Sequence, residues 1–296
     1  MTVQNDLDRY IEEGKMVTEE KMTNELRNLE IPEQLKQSML YSIEAGGKRL
    51  RPILMMASCG AYSSDRSKVL STAVALEMIH TYSLIHDDLP AMDNDNLRRG
   101  KPTNHKAFDE ATAILAGDAL LTYSFELITQ DSRLTDRQKV FLTGSLSQAS
   151  GPKGMVAGQI LDMDAETKDV TLEELETIHM FKTGELVKFA VKAGAFIGNA
   201  SAEQLTYLDE FAHYLGLIFQ VQDDILDVTG DPEKIGKPVG SDEENEKNTY
   251  PRLLGLDGAI EKKHHYVNKA KEALENAGAD SSYLMLLTDY FSNREY

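Results

Sequence analysis

Apolar residues recur at helical spacing along most of the chain, and the strict alternation that marks a half-buried strand is almost absent. The pattern predicts helices over 4–29, 33–45, 50–61, 66–88, 105–130, 136–162, 172–198, 202–228, 250–277 and 281–293. Start signals accompany several of them: Asp136 before Arg137, Thr171 before Leu172-Glu173-Glu174, and Ser201 before Ala202-Glu203. Stops stand at Gly46-Gly47, Gly100 with Pro102, Gly151-Pro152 and Gly230 with Pro232. Segments 66–88 and 202–228 carry little polar surface away from their ends, so they are expected as central helices wrapped by more amphipathic ones. No Gly/Ser/Pro-rich linker divides the 296 residues. The expectation is an all-α fold, a single domain over 1–296 with about ten helices.

Each of the two central segments ends in aspartates. Asp87-Asp88-Leu89-Pro90-Ala91-Met92-Asp93 follows the apolar run from Ala73 to Ile85, and Asp223-Asp224-Ile225-Leu226-Asp227 follows that from Phe211 to Val221. Crowded carboxylates at the inner end of a buried helix repel each other and lose solvation, so they call for cations. Oxygen ligands without His or Cys suit a hard ion such as Mg2+, which binds a few carboxylates together with water and phosphate oxygens. Asp223 and Asp227, at i and i+4, share a helix face, and Gln220 extends the stripe. In the first cluster Pro90 breaks the helix. Asp87 and Asp88 should therefore close it while Asp93 returns from a turn; Asp95 and Asp109 read as capping or solvated residues. Two clusters that faced each other would clamp a metal-bound diphosphate.

Cations accompany the acids. Lys48 and Arg51 share a face if Lys48 opens a helix, with Arg49 pointing elsewhere, and Gly46-Gly47 before them lets backbone amides approach an anion. His80 lies seven residues before Asp87, two turns up the same face; a lone helical His is usually a packed side chain, and the alignment makes a phosphate contact an equal alternative. Arg98 and Arg99 follow the first cluster directly. Lys182-Thr183-Gly184 interrupts apolar sequence, where a buried Lys needs an anionic partner and the small residues thin the helix for close approach. Lys237, in the long polar stretch from Gly230 to Thr249, is a mobile cation or an ordinary surface Lys.

Composition narrows the field. A formal net charge of −18 argues against nucleic acid or anionic membrane as partners, and no apolar run approaches the ~20 residues of a span. The acidic N-terminus is unlike a secretory signal. The single cysteine, Cys59, reads as core filler and fits a reducing cytoplasm. Hydrolase triads, metal-binding His/Cys spacings, dinucleotide loops and Walker loops are missing from the sequence.

The run Gly46-Gly47-Lys48-Arg49-Leu50-Arg51-Pro52, the first aspartate motif with its Leu97 to Gly100 tail, Phe181-Lys182-Thr183-Gly184, the segment Phe219 to Asp227, and Gly236-Lys237 together resemble the trans-polyprenyl diphosphate synthases. Within that family they are most similar to the bacterial farnesyl diphosphate synthases (geranyltranstransferases). The resemblance runs in order from about residue 40 to 252. It implies an all-α isoprenoid synthase-like fold around a central catalytic cavity, a homodimer, and three Mg2+ ions (Mn2+ substituting) bridging the two motifs through the allylic diphosphate. Matched position by position, Asp87, Asp88 and Asp93 hold two metals, and Asp223, with Asp224 and Asp227, holds the third. Arg98, Lys182, Thr183, Gln220 and Lys237 match contacts to the allylic substrate. Lys48, Arg51, His80 and Arg99, beside Gly47, match contacts to isopentenyl diphosphate. The catalytic set is then Asp87, Asp88, Asp93, Arg98, Lys182 and Asp223. The released diphosphate acts as base, so no protein base is needed.

Tyr82 lies five residues before Asp87, about 7.5 Å along a helix axis. With Ser83 beside it and two extra residues inside the first motif, it resembles the C15-forming bacterial subtype; the plain alternative is that Tyr82 is simply core. The substrates implied are isopentenyl, dimethylallyl and geranyl diphosphates, and the product farnesyl diphosphate, with a C20 product as the alternative. The acidic run Asp242-Glu243-Glu244 is heavier than the motif demands. A terpene cyclase would not need the second cation set, a regulatory prenyl synthase subunit would have lost aspartates, and an acidic Ca2+-binding helical protein would leave the cations unexplained.

Overall fold

A computed structural model of the chain describes residues 3–166, 168–230, 248–279 and 282–294. The chain divides into two compact units, Met1–Met56 with Arg66–Thr143, and Ala57–Asp65 with Gly144–Tyr296. Helices dominate both. The described strands are the two-residue β1 (Leu97–Arg98) and β2 (Lys101–Pro102), paired antiparallel with Leu97 opposite Pro102.

In the first unit, α1 (Val3–Arg27) and α2 (Glu33–Glu44) precede the start of α3 (Leu50–Gly60). A 3-10 turn, Arg66–Val69, leads into α4 (Leu70–Asp87), so the predicted helix 66–88 is α-helical only from Leu70. From Ala73 to Ile79 every side chain of α4 is buried, as its apolar sequence requires. It packs chiefly against α6 (Glu110–Gln130), through small residues of that helix such as Ala113, Ala116 and Gly117. By length and apolarity α6 is the one described helix that could cross a membrane, but this small-residue face is spent on α4. The predicted helix 105–130 is broken. A single turn, α5 (Asn104–Ala107), ends before Asp109, whose extended backbone and carboxylate cap α6 by accepting from the Thr112 amide at 2.8 Å. Asp109 is thus a cap, as expected.

The Gly46-Gly47 turn is fastened from within. Gly46 (φ 89°) and Gly47 (φ 143°) take backbone conformations open to glycine, and Arg49 is left-handed at φ 52°. Arg49 is almost fully buried. Its guanidinium donates to Glu77 of α4 (3.0 Å), to Glu19 of α1 (3.2 Å) and to the Ile43 carbonyl (2.6 Å). The Arg49 carbonyl accepts from the Ile53 amide, so the helix begins after it. Lys48 therefore lies ahead of α3 and does not share a helical face with Arg51, contrary to expectation.

The second unit takes the end of α3, where Cys59 is buried as core, and the end of α7 (Asp136–Ser150). The start of α7 is capped reciprocally by Thr135 and Gln138, and not by Asp136. The predicted helix 136–162 splits at Gly151–Gly154. At Gly154 a Cβ would stand 2.1 Å from the Ala149 carbonyl oxygen, so the chain passes too close for any other residue and restarts as α8 (Met155–Ala165). Next come α9 (Leu172–His179), α10 (Glu185–Ile197), α11 (Ala202–Thr229), α12 (Tyr250–Asn276) and α13 (Tyr283–Asn293). Capping boxes at Thr171 and Ser201 start α9 and α11 where the sequence placed them. Between α9 and α10 one π turn, Met180–Gly184, interrupts the predicted helix 172–198. Helix α11 packs mainly against α12 and α10, burying Phe211, Leu215, Ile218 and Val221.

A buried ion pair that loses one partner leaves an uncompensated charge, which costs about 3–5 kcal/mol. Glu77→Ala leaves the Arg49 guanidinium with the Glu19 carboxylate and the Ile43 carbonyl, so it should lower the unfolding free energy by less than that, about 1–3 kcal/mol, read from urea denaturation. An unchanged midpoint would show that Glu77 does not carry the Arg49 charge.

Candidate active site

In the first unit the end of α4 behaves as Pro90 demands. Asp87 is the last helical residue and Asp88 its C-cap. The chain then turns back so that the Asp93 amide donates to the Asp87 carbonyl at 2.9 Å. Asp93 does return from a turn; it is exposed, whereas Asp88 is buried. Burial raises the Asp88 carboxyl, opposed by Arg98, with Asp95 and Asp93 adding repulsion. Arg98 Nε and Nη2 both reach Asp88 Oδ1, at 2.7 and 2.6 Å, while Asp95, solvated as expected, is 3.4 Å from Arg98.

The predicted isopentenyl diphosphate residues gather around the glycine turn. Arg99 Nη1 donates to the Gly46 carbonyl, and a Cβ on Gly47 would stand 2.8 Å from the Arg99 guanidinium. His80 lies among cations: burial, then Arg51, Arg99, Arg49 and Arg98, hold its imidazole well below the ordinary range. Arg99 is itself pulled down by burial and then by Arg49, Arg98 and Arg51, with Glu77 opposing. Such an excess of like charge around the half-buried His80 and Arg51, with Arg99 exposed at its edge, is relieved by an anion. Lys48 is half-buried on the same turn.

On α4, Tyr82 is buried, and burial, then the Asp87 charge, push its phenol up to about 12. Its ring meets that of His86 edge-on at 5.7 Å. Ser83 is half-buried and spends its hydroxyl on the His80 carbonyl at 3.0 Å.

In the second unit, a recess of about 240 Å³ is lined by Asp162, His179, Lys182, Gln220, Asp223 and Asp224, among others. Asp223 and Asp227 both lie on α11, one turn apart as predicted. Asp223 is partly exposed, Asp227 buried, and Asp224 accepts from the Tyr250 amide at 2.8 Å, tying the motif to the start of α12. Lys182 has the anionic partner its setting requires: Asp162 of α8, at 2.5 Å. The π turn that carries Lys182 and Thr183 is approached from both sides. A Cβ at Gly158 would stand 2.1 Å from the Lys182 amide nitrogen, and one at Gly216 3.0 Å from the Gly184 Cα, so the thinning predicted for this segment is real.

Two contributors escaped the sequence reading, and a third, Arg294, is expected from it only as a C-terminal cation able to close over the second substrate, with no local signal for its role. Asp162 sits 20 residues from its partner without a local signal. His179 is buried with Nδ1 lacking a hydrogen-bond partner among the described residues, and its ring is 5.6 Å from that of Tyr250. Arg294, at the end of α13, donates to Asp223 Oδ1 at 2.6 Å, donates to the Phe219 carbonyl at 3.0 Å and lies 4.1 Å from the centroid of the Phe219 ring. Lys237 and Asp242-Glu243-Glu244 lie outside the described residues.

Among the described residues no three acidic, His or Cys side chains converge into a ready metal cage. The donor set nevertheless fits Mg2+. Among the described residues Arg98 holds Oδ1 of Asp88 and Arg294 holds Oδ1 of Asp223, which leaves Oδ2 of each as an oxygen ligand. Mg2+ characteristically uses one or two carboxylates and fills its octahedron with water and phosphate oxygens.

Residues 32–284 match the model of the polyprenyl synthetase family, and the chain belongs to that family. It is 52% identical over 292 residues to the farnesyl diphosphate synthase of Geobacillus stearothermophilus, covering 98% of both chains. It is 46% identical over 267 residues to the chloroplastic geranylgeranyl pyrophosphate synthase of Catharanthus roseus, covering 89% of this chain and 75% of that one. A solved structure described as a putative farnesyl-diphosphate synthase from Marinomonas sp. MED121 superposes with a TM-score of 0.83 at 40% identity, over 97% of this chain and 99% of that one.

Burial, with Lys182 adding to it and Asp162 opposing, takes the His179 imidazole from an ordinary 6.5 down to about 4. Between those values the unfolded chain binds the proton that the folded chain refuses, so stability falls as the pH is lowered through this window. The loss should reach about 3 kcal/mol at the acid end. Urea midpoints measured across the window for wild type and His179→Gln check this: the variant should lose that part of the slope.

Proposed function

We propose that the chain is a chain-elongating prenyltransferase that condenses isopentenyl diphosphate with dimethylallyl and then geranyl diphosphate to give (2E,6E)-farnesyl diphosphate. The observation that carries the reading is the cation cluster of Arg51 and Arg99, with the imidazole of His80 beside them, at the Gly46-Gly47 turn, present in addition to the carboxylate motifs. An enzyme that only ionises one allylic diphosphate, as a terpene cyclase does, has no use for a second anion site. Both aspartate motifs are intact, which speaks against a non-catalytic subunit.

Lys182, Thr183, Gln220, Arg98 and Lys237 take the allylic diphosphate; Lys48, Arg51, Arg99 and His80, beside Gly47, take isopentenyl diphosphate. Asp87, Asp88 and Asp93, and Asp223 with Asp224 and Asp227, would hold three Mg2+ ions when substrate is bound, with Mn2+ able to substitute. The bound metal supplies positive charge to the departing diphosphate. Lys182, aimed by Asp162, adds charge from the protein as the allylic C–O bond breaks and its electron pair leaves with the diphosphate. The isopentenyl double bond then attacks the carbocation, and the released diphosphate takes the proton. His80, neutral in its cationic surroundings, binds rather than abstracts. We also assign a homodimer in the cytoplasm; the exposed apolar residues Ile114 and Leu115 on α6 support the dimer.

Tyr82 favours a C15 over a C20 product. It is buried on α4 more than a helical turn behind Asp87, on the side away from the motif, where its ring would block a lengthening chain.

Product analysis with dimethylallyl and isopentenyl diphosphates and Mg2+ tests the activity; turnover without isopentenyl diphosphate would sink it. Asp87→Asn or Asp223→Asn should lower the rate at least ~1000-fold, since charge stabilisation of this kind is worth several kcal/mol. Near-normal turnover by a variant whose circular dichroism is native would refute the metal assignment. Tyr82→Ala should remain active and move the main product from C15 towards C20, as read by chromatography of the dephosphorylated prenols.

A further inference from the structure

Helix α6 comes so close to α4 at Gly117 that a Cβ there would stand 2.1 Å from Nε2 and 2.5 Å from Cδ2 of His86. The imidazole therefore fills the space that a side chain at 117 would need. It is fixed in this notch by a hydrogen bond, Nε2 donating to the Ile114 carbonyl at 3.1 Å. On α4, His86 follows Tyr82 by four residues, so the two side chains are neighbours on one face. Their rings meet edge-on, 5.7 Å apart and inclined at 75°. A line of contact thus runs from the α6 backbone through the imidazole to the Tyr82 ring. Among the described residues Tyr82 makes no comparable hydrogen bond of its own: the helix holds its Cα, while the direction of its ring depends on what it packs against.

We infer that His86 is a specificity-determining positioning residue, which, seated in the Gly117 notch, braces the Tyr82 ring and thereby sets where chain growth stops. The inference rests on the reading of Tyr82 as the floor of the prenyl pocket. Gly117 acts only by leaving room. Alanine there adds a single carbon, but that carbon lands on the imidazole and must drive it from its seat. Removing the imidazole instead leaves a hole into which the Tyr82 ring can swing, clearing the path of the growing chain.

The test compares C20:C15 ratios, from dimethylallyl and isopentenyl diphosphates with Mg2+, for wild type, Tyr82→Ala, His86→Ala, Gly117→Ala and the double variant His86→Ala with Gly117→Ala. His86→Ala should raise the ratio about tenfold or more, the scale on which small steric changes in apolar pockets discriminate substrates. Gly117→Ala should also change the ratio. In the double variant the added carbon has no ring to strike, so the ratio should equal that of His86→Ala alone. Should His86 matter only for stability, unfolding midpoints would fall while every ratio but that of Tyr82→Ala stayed at the wild-type value, and the inference would be wrong. A Gly117→Ala effect that persists undiminished in the double variant would likewise overturn it. An unaltered product from Tyr82→Ala would overturn the underlying floor assignment instead. His86→Ala carries the test should Gly117→Ala fail to fold.

Discussion

A carboxylate placed at the end of an apolar helix keeps its charge only while something positive stands beside it. The rest of the site follows from this constraint. Asp88 has Arg98, Asp223 has Arg294 and Glu77 has Arg49; the same logic in reverse gives Lys182 its Asp162. Removing a charge from water costs several kcal/mol even after relaxation, and a partner about 4 Å away returns some 4 kcal/mol at the effective dielectric of a protein. The two roughly cancel. Such pairs add little net stability, but they fix the carboxylates in position. Because each arginine on a motif aspartate uses one oxygen, the other oxygen stays available as a hard ligand.

Side chains alone would not place these groups; the backbones must approach closely as well. Gly158 and Gly216 let α8 and α11 close on the π turn that presents Lys182 and Thr183, and Gly117 does the same for α6 against α4. A methyl group at Gly117 or Gly158 would sit about 2 Å from its neighbour, well inside van der Waals contact. Precision at the charged ends is thus prepared by the absence of side chains elsewhere.

How much of this the sequence discloses depends on how local the cause is. Helix periodicity, the capping boxes at Thr171 and Ser201, the cap at Asp109 and the return of Asp93 after Pro90 are set by neighbours within a few residues, and they could be read directly. The break before Asp109 was hidden because apolar spacing continues through it, whereas the one at Gly151–Gly154 carried the stop signal Gly151-Pro152 although helical spacing runs on past it. Pairs formed across long stretches of chain left no mark in the pattern: Asp162 with Lys182, Arg294 with Asp223, and Arg49 with Glu77. The motifs named the acids and cations of the site; which of them neutralise one another is decided by packing.

The π turn at Met180–Gly184 carries one residue more than an α-helical turn would hold, so α10 is out of phase with α9. Each helical residue advances the face by about 100°, so the extra one shifts the face on which the buried Leu186, Phe189 and Ala190 of α10 lie relative to the buried Leu175 and Ile178 of α9. Excising a single residue here would restore a seamless helix with better local hydrogen bonding. It would also rotate everything after it, turning the apolar stripe of α10 away from α11 or else swinging Lys182 and Thr183 out of their recess. The segment is locked against one-residue deletion in a way that the neighbouring, more regular helices are not, and any lineage that shortened it would have to re-phase a whole helix in the same step.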